Sequence, residues 1–560
     1  MAFARTPGPE NDSGPWLHAR HYAWHVAGIL AAVAVATTVV LHVRGFAGAF
    51  LSDDFGYLHV IAHTDRELHL ARWALARFIE PLGSGNFAYR PIAVLTWTID
   101  WRVFGAWAAG WRMHSLALHL ASAALVYWIV SRWIFGRMRL HGAAMVPAAL
   151  FAAFPFAGEA TFWAASRADV LAAFFSLLFL VTLDGGPRVA GIYRQAVRVA
   201  LVCAALLSKE SALPLAAVAF VVDLALRASR EGRPSRSQFS AYLRFATLDL
   251  TPSWLVFAAY IAWRCVLFGT PLKVYPQSTL PANPGEYLER LASYGGLFAR
   301  QPGIDPPWLW ALVAALFLLV LLVGVVIGSR DRYQRAVPLV YACVLSALGY
   351  TLAPALLSGV DPNVSDGARN LYVAWLYLSL AAGLAATLTR MSLVTGVAAI
   401  GWMLVAQAGS LSQWQDAALE MREVVGAIPS FGERLGDDQY ALLLLPDHVG
   451  VALFARNAEG GIVDWPVQNR EYLRVMAGMT EFDIAGWREH FVDGSIARLK
   501  HADSFDMNRF AGVFCWSASG AGFTQVAPAG PVGDFDAWVS ALYARVASSN
   551  CMRGSLSDVQ

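Results

Sequence analysis

The chain has 560 residues, of which 57% are hydrophobic and 15% are charged, and its formal net charge is +2. An average soluble domain is about 45–50% apolar and about 25% charged, so this composition excludes an ordinary soluble enzyme. The apolar excess falls in blocks of roughly 15–25 residues, which predicts a polytopic α-helical membrane protein. The nearly balanced charge argues against a nucleic acid as a partner.

The first apolar block, residues 25–43, follows a polar leader, 1–24, that we place in the cytoplasm. The block is longer than the roughly 7–15 apolar residues of a signal peptide, so we predict an uncleaved membrane span. Further blocks of the same kind bring the predicted number of spans to about eleven. They are 113–134, 142–156, 170–183, 199–207, 212–226, 252–268, 308–327, 337–357, 371–388 and 392–408.

Arginine placement orients these spans, because short cytoplasmic loops collect Lys and Arg. The stretch 91–110 is expected to lie along the interface, since Asp100 and Arg102 interrupt it. With that assignment, the N-terminus is cytoplasmic, and the loop 44–112 and the chain after residue 409 face outward, which in a bacterial inner membrane is the periplasm. The cytoplasmic loops then hold the arginines at 132, 137, 139, 188, 194, 198, 227, 230, 233, 236, 330, 332, 335 and 390.

The membrane domain is therefore predicted to span residues 25–409, and a small extracytoplasmic α/β domain to follow at 410–560. Cys515 and Cys551 in this tail are the one pair placed to form a disulfide, because the other three cysteines lie in apolar blocks. The predicted elements of the tail are a helix at 414–428, strands at 440–445, 449–454 and 510–516, and a closing helix at 535–548.

An acidic pair, Asp53 and Asp54, follows the first predicted span on the outer side. Two adjacent carboxylates suit general-base catalysis, because one can take a hydroxyl proton while the other holds its geometry or a cation. We place the base on Asp54, with Asp53 as its partner. The alternative is that Ser52 or Asp53 caps a short helix running toward Ala62, which accounts for the same residue types.

Four further polar clusters interrupt apolar sequence on the same predicted face. Neighbouring opposite charges offer a local explanation, in which Arg167 neutralises Asp169 and Lys209 neutralises Glu210 at helix ends. Their common side of the membrane instead favours one shared site. The clusters are Tyr89 and Arg90; Glu159 with Arg167 and Asp169; Lys209 and Glu210; and Arg369, Asn370 and Tyr372.

Lys209 is one of three lysines in a chain that otherwise uses arginine as its cation. With Glu210 it divides an apolar run into 199–207 and 212–226, and the first block, at about nine residues, is too short to cross a bilayer unbroken. Interrupted helices of this kind mark binding sites in membrane transporters. We therefore expect a functional role for this break.

Taken in order, these clusters resemble the motifs of the GT-C membrane glycosyltransferases. The nearest resemblance is to the branch of the protein O-mannosyltransferases and the tetratricopeptide-bearing transmembrane O-mannosyltransferases, and it covers roughly residues 20–400. Two departures stand out. The His-Pro-x-His of that branch is replaced by Phe-Pro-Phe-Ala-Gly at 154–158, and no tetratricopeptide array follows the membrane part.

This resemblance implies transfer of a sugar from a polyprenyl-phosphate donor to a hydroxyl of a protein, glycan or lipid acceptor, with inversion and with membrane lipids around the donor chain. It assigns the base to Asp53 or Asp54 and the phosphate contacts to basic residues of the clusters. The implied phosphate ligands are Arg90, Arg167, Lys209 and Arg369, and the implied supporting residues are Tyr89, Glu159, Asp169, Glu210 and Tyr372.

No metal ligand set is predicted, although a divalent metal remains compatible with the sequence. His59 and His63 are four residues apart on one predicted helix, but beyond the acidic pair the sequence indicates no third ligand.

Two other functions remain open. A transporter or flippase for lipid-linked sugars would also have many spans and a broken helix, and an O-antigen ligase or polymerase would share the donor and the compartment.

Overall fold

A computed structural model describes most of the membrane part and portions of the tail. The structural statements below concern these residues alone. They are 15–67, 69–81, 88–135, 142–183, 191–231, 236–271, 279–299, 315, 336–360, 366–386, 390–435, 439–456, 458, 461–468, 475–479, 510–517, 520–528 and 545.

Helices make up almost all of the described chain before residue 435. Short turns of other helix types occur at Gly158–Phe162, Glu210–Ala212 and Ala368–Leu371. The α-helices are α1 (Pro15–Val43), α2 (Asp53–Arg66), α3 (Leu70–Ala76), α4 (Pro91–Phe104), α5 (Ala108–Phe135), α6 (Gly142–Ala152), α7 (Arg167–Leu183), α8 (Gly191–Ser208), α9 (Leu215–Glu231), α10 (Arg236–Phe268), α11 (Pro284–Ala299), α12 (Val337–Ala355), α13 (Tyr372–Ala386) and α14 (Arg390–Gly432).

Within the described residues, eight helices are long and apolar enough to cross a membrane. They confirm the predicted polytopic α-helical class. The spanning stretches lie in α1, α5, α7, α8, α9, α10, α12 and α14. Apart from residue 315, the predicted span 308–327 lies outside the described residues, so the expected total of about eleven stays a prediction.

The shorter helices α6 and α13 occupy the centre of the helical core. Every residue of α13 except the partly buried Leu378 is buried, and α6 is buried almost throughout. A Cβ at Gly383 of α13 would lie 2.1 Å from the side chain of Pro147 in α6, so glycine is needed there. At Gly142, a Cβ would lie 1.8 Å from the backbone oxygen of Trp24 in α1. These glycines allow close backbone contact between the central helices.

Helix α4 has 14 residues, or about 21 Å at 1.5 Å per residue, short of the roughly 30 Å of a bilayer core. Gly105, with φ of +57°, ends it before α5 begins. The stretch 91–110 therefore contributes no unbroken span, and its expected position along the interface stays a prediction.

Helix α8 begins at Gly191, eight residues before the predicted block, and reaches 18 residues. The expectation that this segment is too short to cross is therefore wrong. Arg194 and Arg198, assigned to a loop from their charge, belong to the helix. The guanidinium of Arg198 donates to Asp249 Oδ2 (2.7 Å) and to Thr182 Oγ1 (3.1 Å), so the charge is neutralised inside the bundle.

The predicted domain boundary after residue 409 falls inside α14, which runs without a break for 43 residues. Its last turns therefore belong to the tail rather than to the membrane part. The predicted helix 414–428 lies within this longer helix. The tail sheet packs against it, since Phe431 contacts the rings of Phe514 and Phe523, and Trp516 Nε1 donates to Glu420 Oε1 (3.0 Å).

The tail contains a four-stranded sheet in the order β4-β1-β5-β6. Strand β1 runs parallel to both of its neighbours, β4 and β5, whereas the edge strand β6 runs antiparallel to β5. The predicted strands at 440–445 and 510–516 are confirmed as β1 and β5. The predicted strand 449–454 is instead a small hairpin that turns at Gly450, where φ is +58°. The strands are β1 (Tyr440–Leu444), β2 (His448–Val449), β3 (Ala452–Leu453), β4 (Val475–Met479), β5 (Phe510–Ser517) and β6 (Gly522–Pro528).

Cys515 in β5 is disulfide-bonded, and Cys203, Cys265 and Cys343 are free. This agrees with the prediction that only the tail cysteines form a disulfide. The predicted partner, Cys551, lies outside the described residues, as does the predicted closing helix 535–548.

Candidate active site

The segment before the acidic pair is held by the tail. Ser52 is buried with φ of +49°, its backbone N–H donates to Phe454 O (2.8 Å), and its hydroxyl donates to Arg456 O (2.7 Å). Ser52 therefore does not cap α2 with its side chain. Capping by the Ser52 side chain is therefore wrong, because its hydroxyl donates to Arg456 O, 404 residues away, while capping by Asp53 stays an open alternative.

Asp54 is buried, and its Oδ1 accepts the backbone N–H of Ala165 (2.8 Å). Burial raises the pKa of Asp54 to about 7, against the opposing effects of Arg112 and of the Ala165 N–H. The neighbouring Asp53 is only partly buried. Asp54 thus fastens α2 to the segment that leads into α7, whereas the side chain of Asp53 stays partly exposed.

A narrow cleft lies next to α2, and Tyr57, Arg90 and Trp97 are among its lining residues. The rings of Tyr57 and Trp97 stack with their centroids 4.2 Å apart. Asp53 is one turn before Tyr57 on α2, so both side chains share one helix face. Asp53 therefore faces the side of α2 that borders this cleft, whose walls carry aromatic rings and two guanidiniums, one of them that of Arg90. Its remaining lining residues are Arg77, Glu80, Ala88, Tyr89, Pro91 and Val94.

The chain between α8 and α9 breaks at Lys209, whose backbone is extended with φ of −159° and ψ of 144°. Successive side chains on extended backbone point in opposite directions, so Lys209 and Glu210 cannot both face one partner. Lys209 Nζ donates to both carboxylate oxygens of Asp169 (2.7 and 2.6 Å) and to Asn370 Oδ1 (3.2 Å). Glu210 instead pairs with Arg90.

The predicted local neutralisations are therefore wrong for both pairs. Lys209 does not pair with Glu210, and Arg167 does not pair with Asp169. Arg167 is fully buried and forms an ion pair with Asp100, whose Oδ1 lies 2.6 Å from His114 Nδ1. Arg167 also donates to the Trp111 carbonyl (2.8 Å). These contacts occupy the buried guanidinium of Arg167, and its implied role as a phosphate ligand stays a prediction.

Glu159 binds the loop that precedes α13 through hydrogen bonds and an ion pair. It accepts the backbone N–H groups of Gly367 (2.9 Å) and Arg369 (2.8 Å) and pairs with the Arg369 guanidinium. Burial raises the pKa of Glu159 to about 7, although the Arg369 charge opposes this effect. Gly367 has φ of +94°, which only glycine adopts readily, so the turn that aims Arg369 at Glu159 depends on it.

The two predicted tyrosines occupy different surroundings. Tyr89 lines the cleft, where its hydroxyl donates to Phe78 O (2.6 Å) and accepts from Trp263 Nε1 (3.2 Å), and burial raises its pKa. Tyr372 is buried in the core, and its hydroxyl lies 2.6 Å from His119 Nδ1. Both tyrosines are thus buried, with Tyr89 at the wall of the cleft and Tyr372 in the helical core.

Sequence reasoning missed several residues of this region. Asp100 pairs with Arg167, and Asn370 accepts a hydrogen bond from Lys209. Both positions had a signal, since Asp100 interrupts an apolar stretch and Asn370 belongs to a polar cluster, but neither was given a role. Arg456 had no signal. It comes from the tail and binds Asp366 (2.6 Å) and Asp447, and Asp366 in turn lies 3.4 Å from Arg369.

Among the described residues, the group suited to a metal ion is His59, His63 and Asp464, on another face of α2. At 100° per residue, the two histidines lie on one side of the buried face of α2, and Asp53 and Tyr57 lie on the other. The metal-competent group is thus distinct from the cleft.

No protein-family model matches this sequence, and no curated protein matches it significantly. Among solved structures, ArnT from Cupriavidus metallidurans, bound to undecaprenyl phosphate, is similar with a TM-score of 0.42 and 13% identity over 74% of this chain and 82% of that chain. The archaeal oligosaccharyltransferase AglB from Archaeoglobus fulgidus, in complex with an inhibitory peptide and a dolichol-phosphate, is similar with a TM-score of 0.41 and 12% identity over 75% and 62%. Likenesses at this level do not bear on the activity of this chain.

Proposed function

We propose that this protein is a membrane glycosyltransferase of the GT-C type. It transfers a sugar from a polyprenyl-phosphate donor to a hydroxyl acceptor on the extracytoplasmic face of the membrane. The observation that carries the proposal is that Asp53 lies one turn before Tyr57 on α2, and Tyr57 lines the same cleft as Arg90. The motif order supports it, because the clusters that resemble this class contribute to one connected set of contacts.

In the proposed reaction Asp53 is the base. It accepts the hydroxyl proton while the acceptor oxygen forms a bond to the anomeric carbon of the donor sugar. The bond from that carbon to the phosphate oxygen breaks, and its electron pair leaves with the polyprenyl phosphate. A single displacement inverts the anomeric centre.

Arg90 faces the developing phosphate charge, and Glu210 holds its guanidinium in place. A positioned cation stabilises the leaving phosphate more in the transition state than in the ground state. The stacked rings of Tyr57 and Trp97 offer an apolar face for a sugar ring. Asp54 is a positioning residue in this scheme, because its carboxyl binds the Ala165 N–H.

The decisive experiment incubates the purified protein with a panel of polyprenyl-phosphate sugars and a mixed acceptor pool, and measures released polyprenyl phosphate. We expect release with at least one donor. A transporter or flippase, the alternative class, would move the donor between leaflets of a vesicle without releasing polyprenyl phosphate. Translocation without release across the whole panel would contradict the proposal.

Paired variants assign the base. Asparagine at either position keeps the size of the side chain and removes its basicity, so Asp53→Asn is expected to lower turnover by about 10²-fold or more. Asp54→Asn is the matched control, because its amide oxygen still accepts the Ala165 N–H, and we expect it to retain more turnover than Asp53→Asn. The reverse order of activities would place the base on Asp54.

A further inference from the structure

Helix α2 and the tail bring together three side chains that suit a transition metal. His59 Nδ1 and His63 Nε2 each lie 3.4 Å from the same oxygen, Oδ2 of Asp464. The two imidazole rings are 4.2 Å apart between centroids. One potential ligand atom from each of the three residues falls within 4.8 Å of the others.

These separations are more typical of shared metal ligation than of hydrogen bonding. A hydrogen bond between nitrogen and a carboxylate has a length of about 2.7–3.2 Å. Zinc binds imidazole nitrogen and carboxylate oxygen at about 2.0–2.2 Å, and in a tetrahedron two such ligand atoms are then about 3.4 Å apart. The distances from Asp464 to both histidines equal that edge length.

The tail segment that carries Asp464 is fixed on α2 by close packing. A Cβ at Gly461 would lie 2.5 Å from the backbone oxygen of Phe55, so only glycine allows this approach. Ile462 is buried, and Gln468 donates to the carbonyls of Ile462 (3.0 Å) and Val425 (3.1 Å). Asp464 is thus held by the backbone on either side of it.

The immediate surroundings favour an ordered site with one open position. Asp464 Oδ1 accepts the N–H of Trp465 (2.7 Å), which orients the carboxylate and leaves Oδ2 toward the histidines. The ring of Trp465 contacts His63 edge-on at 5.6 Å. The three side chains are 14–24% exposed, so water can reach a fourth ligand position.

We propose that His59, His63 and Asp464 bind a divalent transition metal, with Zn²⁺ as the best fit, and that the metal fastens the tail to α2. Two imidazoles and one carboxylate with an open position are a common zinc ligand set. The site lies on another face of α2 than the cleft, so this inference does not depend on the proposed function.

The test uses the full-length protein in detergent, purified without a histidine tag and stripped with EDTA. Isothermal titration with ZnCl₂ should give one Zn²⁺ per chain. His63→Ala and Asp464→Asn should each weaken the Kd by about 100-fold or more, since each loses a direct ligand. The matched control is His69→Ala, an exposed histidine outside the cluster, which should bind as the wild type does.

Thermal unfolding separates lost binding from lost folding. Zn²⁺ should raise the Tm of the wild type and of His69→Ala, while EDTA-treated His63→Ala melts like the EDTA-treated wild type. If His63→Ala does not fold, His63→Cys tests whether residue 63 is a metal ligand. Co²⁺ bound to its thiolate would show a sulfur-to-metal charge-transfer band. No stoichiometric Zn²⁺ uptake by the wild type, equal uptake by a folded His63→Ala, or a folded His63→Cys without that band would overturn the proposal.

Discussion

Burial separates two adjacent carboxylates that the sequence presents as equivalent. Asp53 and Asp54 differ by one helix position, about 100°, which turns one toward the cleft face and the other into the core. Asp54 accepts a hydrogen bond from the backbone N–H of Ala165 (2.8 Å), and burial raises its pKa to about 7. Because Asp54 is only 3% exposed, an acceptor hydroxyl cannot reach it, so we assign the base to the more exposed Asp53.

The raised pKa of Asp54 predicts a pH dependence of stability. Between its ordinary value of 3.8 and about 7, the unfolded state has lost the proton that the folded state keeps, so the free energy of unfolding falls as pH rises through this window. Asp54→Asn removes this dependence. We expect the Tm of the wild type relative to Asp54→Asn to fall between pH 4.5 and 7 and to level off above pH 7, measured by thermal unfolding in detergent.

Other groups that titrate in the same range, including Glu159, are present in both proteins, so the difference between the two curves isolates Asp54. A difference in Tm that stays constant from pH 4.5 to 8 would show that Asp54 is ionised throughout. In that case its burial would be compensated by Arg112 and the Ala165 N–H.

At the scale of elements, the break between α8 and α9 is the point where α4, α7 and the segment before α13 are held together by polar contacts. Lys209 contacts Asp169 at the start of α7 and Asn370 before α13, while Glu210 pairs with Arg90 at the start of α4. An ammonium has three N–H donors, and its three acceptor contacts here match that number. We therefore assign Lys209 to fastening these segments, rather than to the donor phosphate that the family resemblance implied.

A double-mutant comparison tests the assignment of Lys209. Lys209→Met leaves Asp169 buried without its cation, which is expected to cost about 3–5 kcal/mol of stability, measured by thermal unfolding. Lys209→Met with Asp169→Leu removes both charges and should recover most of the Tm and the turnover. Lys209→Met with Glu210→Gln is the matched control and should not recover, because Glu210 pairs with Arg90 instead.

One outcome would support the alternative role of Lys209 as a ligand of the donor phosphate. A Lys209→Met/Asp169→Leu protein with a normal Tm but no release of polyprenyl phosphate, and with weakened donor affinity, would show that the ammonium acts on the donor. Recovery of turnover excludes that role, since no cation would remain at this position.

The elements themselves were largely predictable, whereas their pairings were not. Apolar blocks and polar breaks mark helices such as α5 and α12 and the interruption at Lys209, because both depend on local composition. The partners of Lys209 and Glu210 depend on the extended dihedrals at the break and on helices 40 and 120 residues away. Asp464 was also missed, since nothing in a tail sequence indicates which membrane-side helix it meets.

The whole molecule joins the tail to the candidate site through polar contacts. Arg456 binds Asp366 and Asp447, and Ser52, next to the acidic pair, binds the backbone at Phe454 and Arg456. Burial raises the pKa of Asp447, but bonds from His448 and Arg456 outweigh this and bring it to about 2. The junction therefore stays ionised over the physiological range, and the tail must lie on the same side of the membrane as Asp53.

That shared side is predicted to be extracytoplasmic. Two independent features support this orientation: arginines concentrate in the loops on the opposite side, and Cys515 is disulfide-bonded, which is typical of an oxidising compartment. In a bacterial host, alkaline phosphatase fused after Gln560 should be active, whereas a fluorescent protein that matures only in the cytoplasm should stay dark at the same position. The opposite pair of signals would move the tail, the acidic pair and the cleft to the cytoplasmic side together, where a donor head would have to be presented without crossing the membrane.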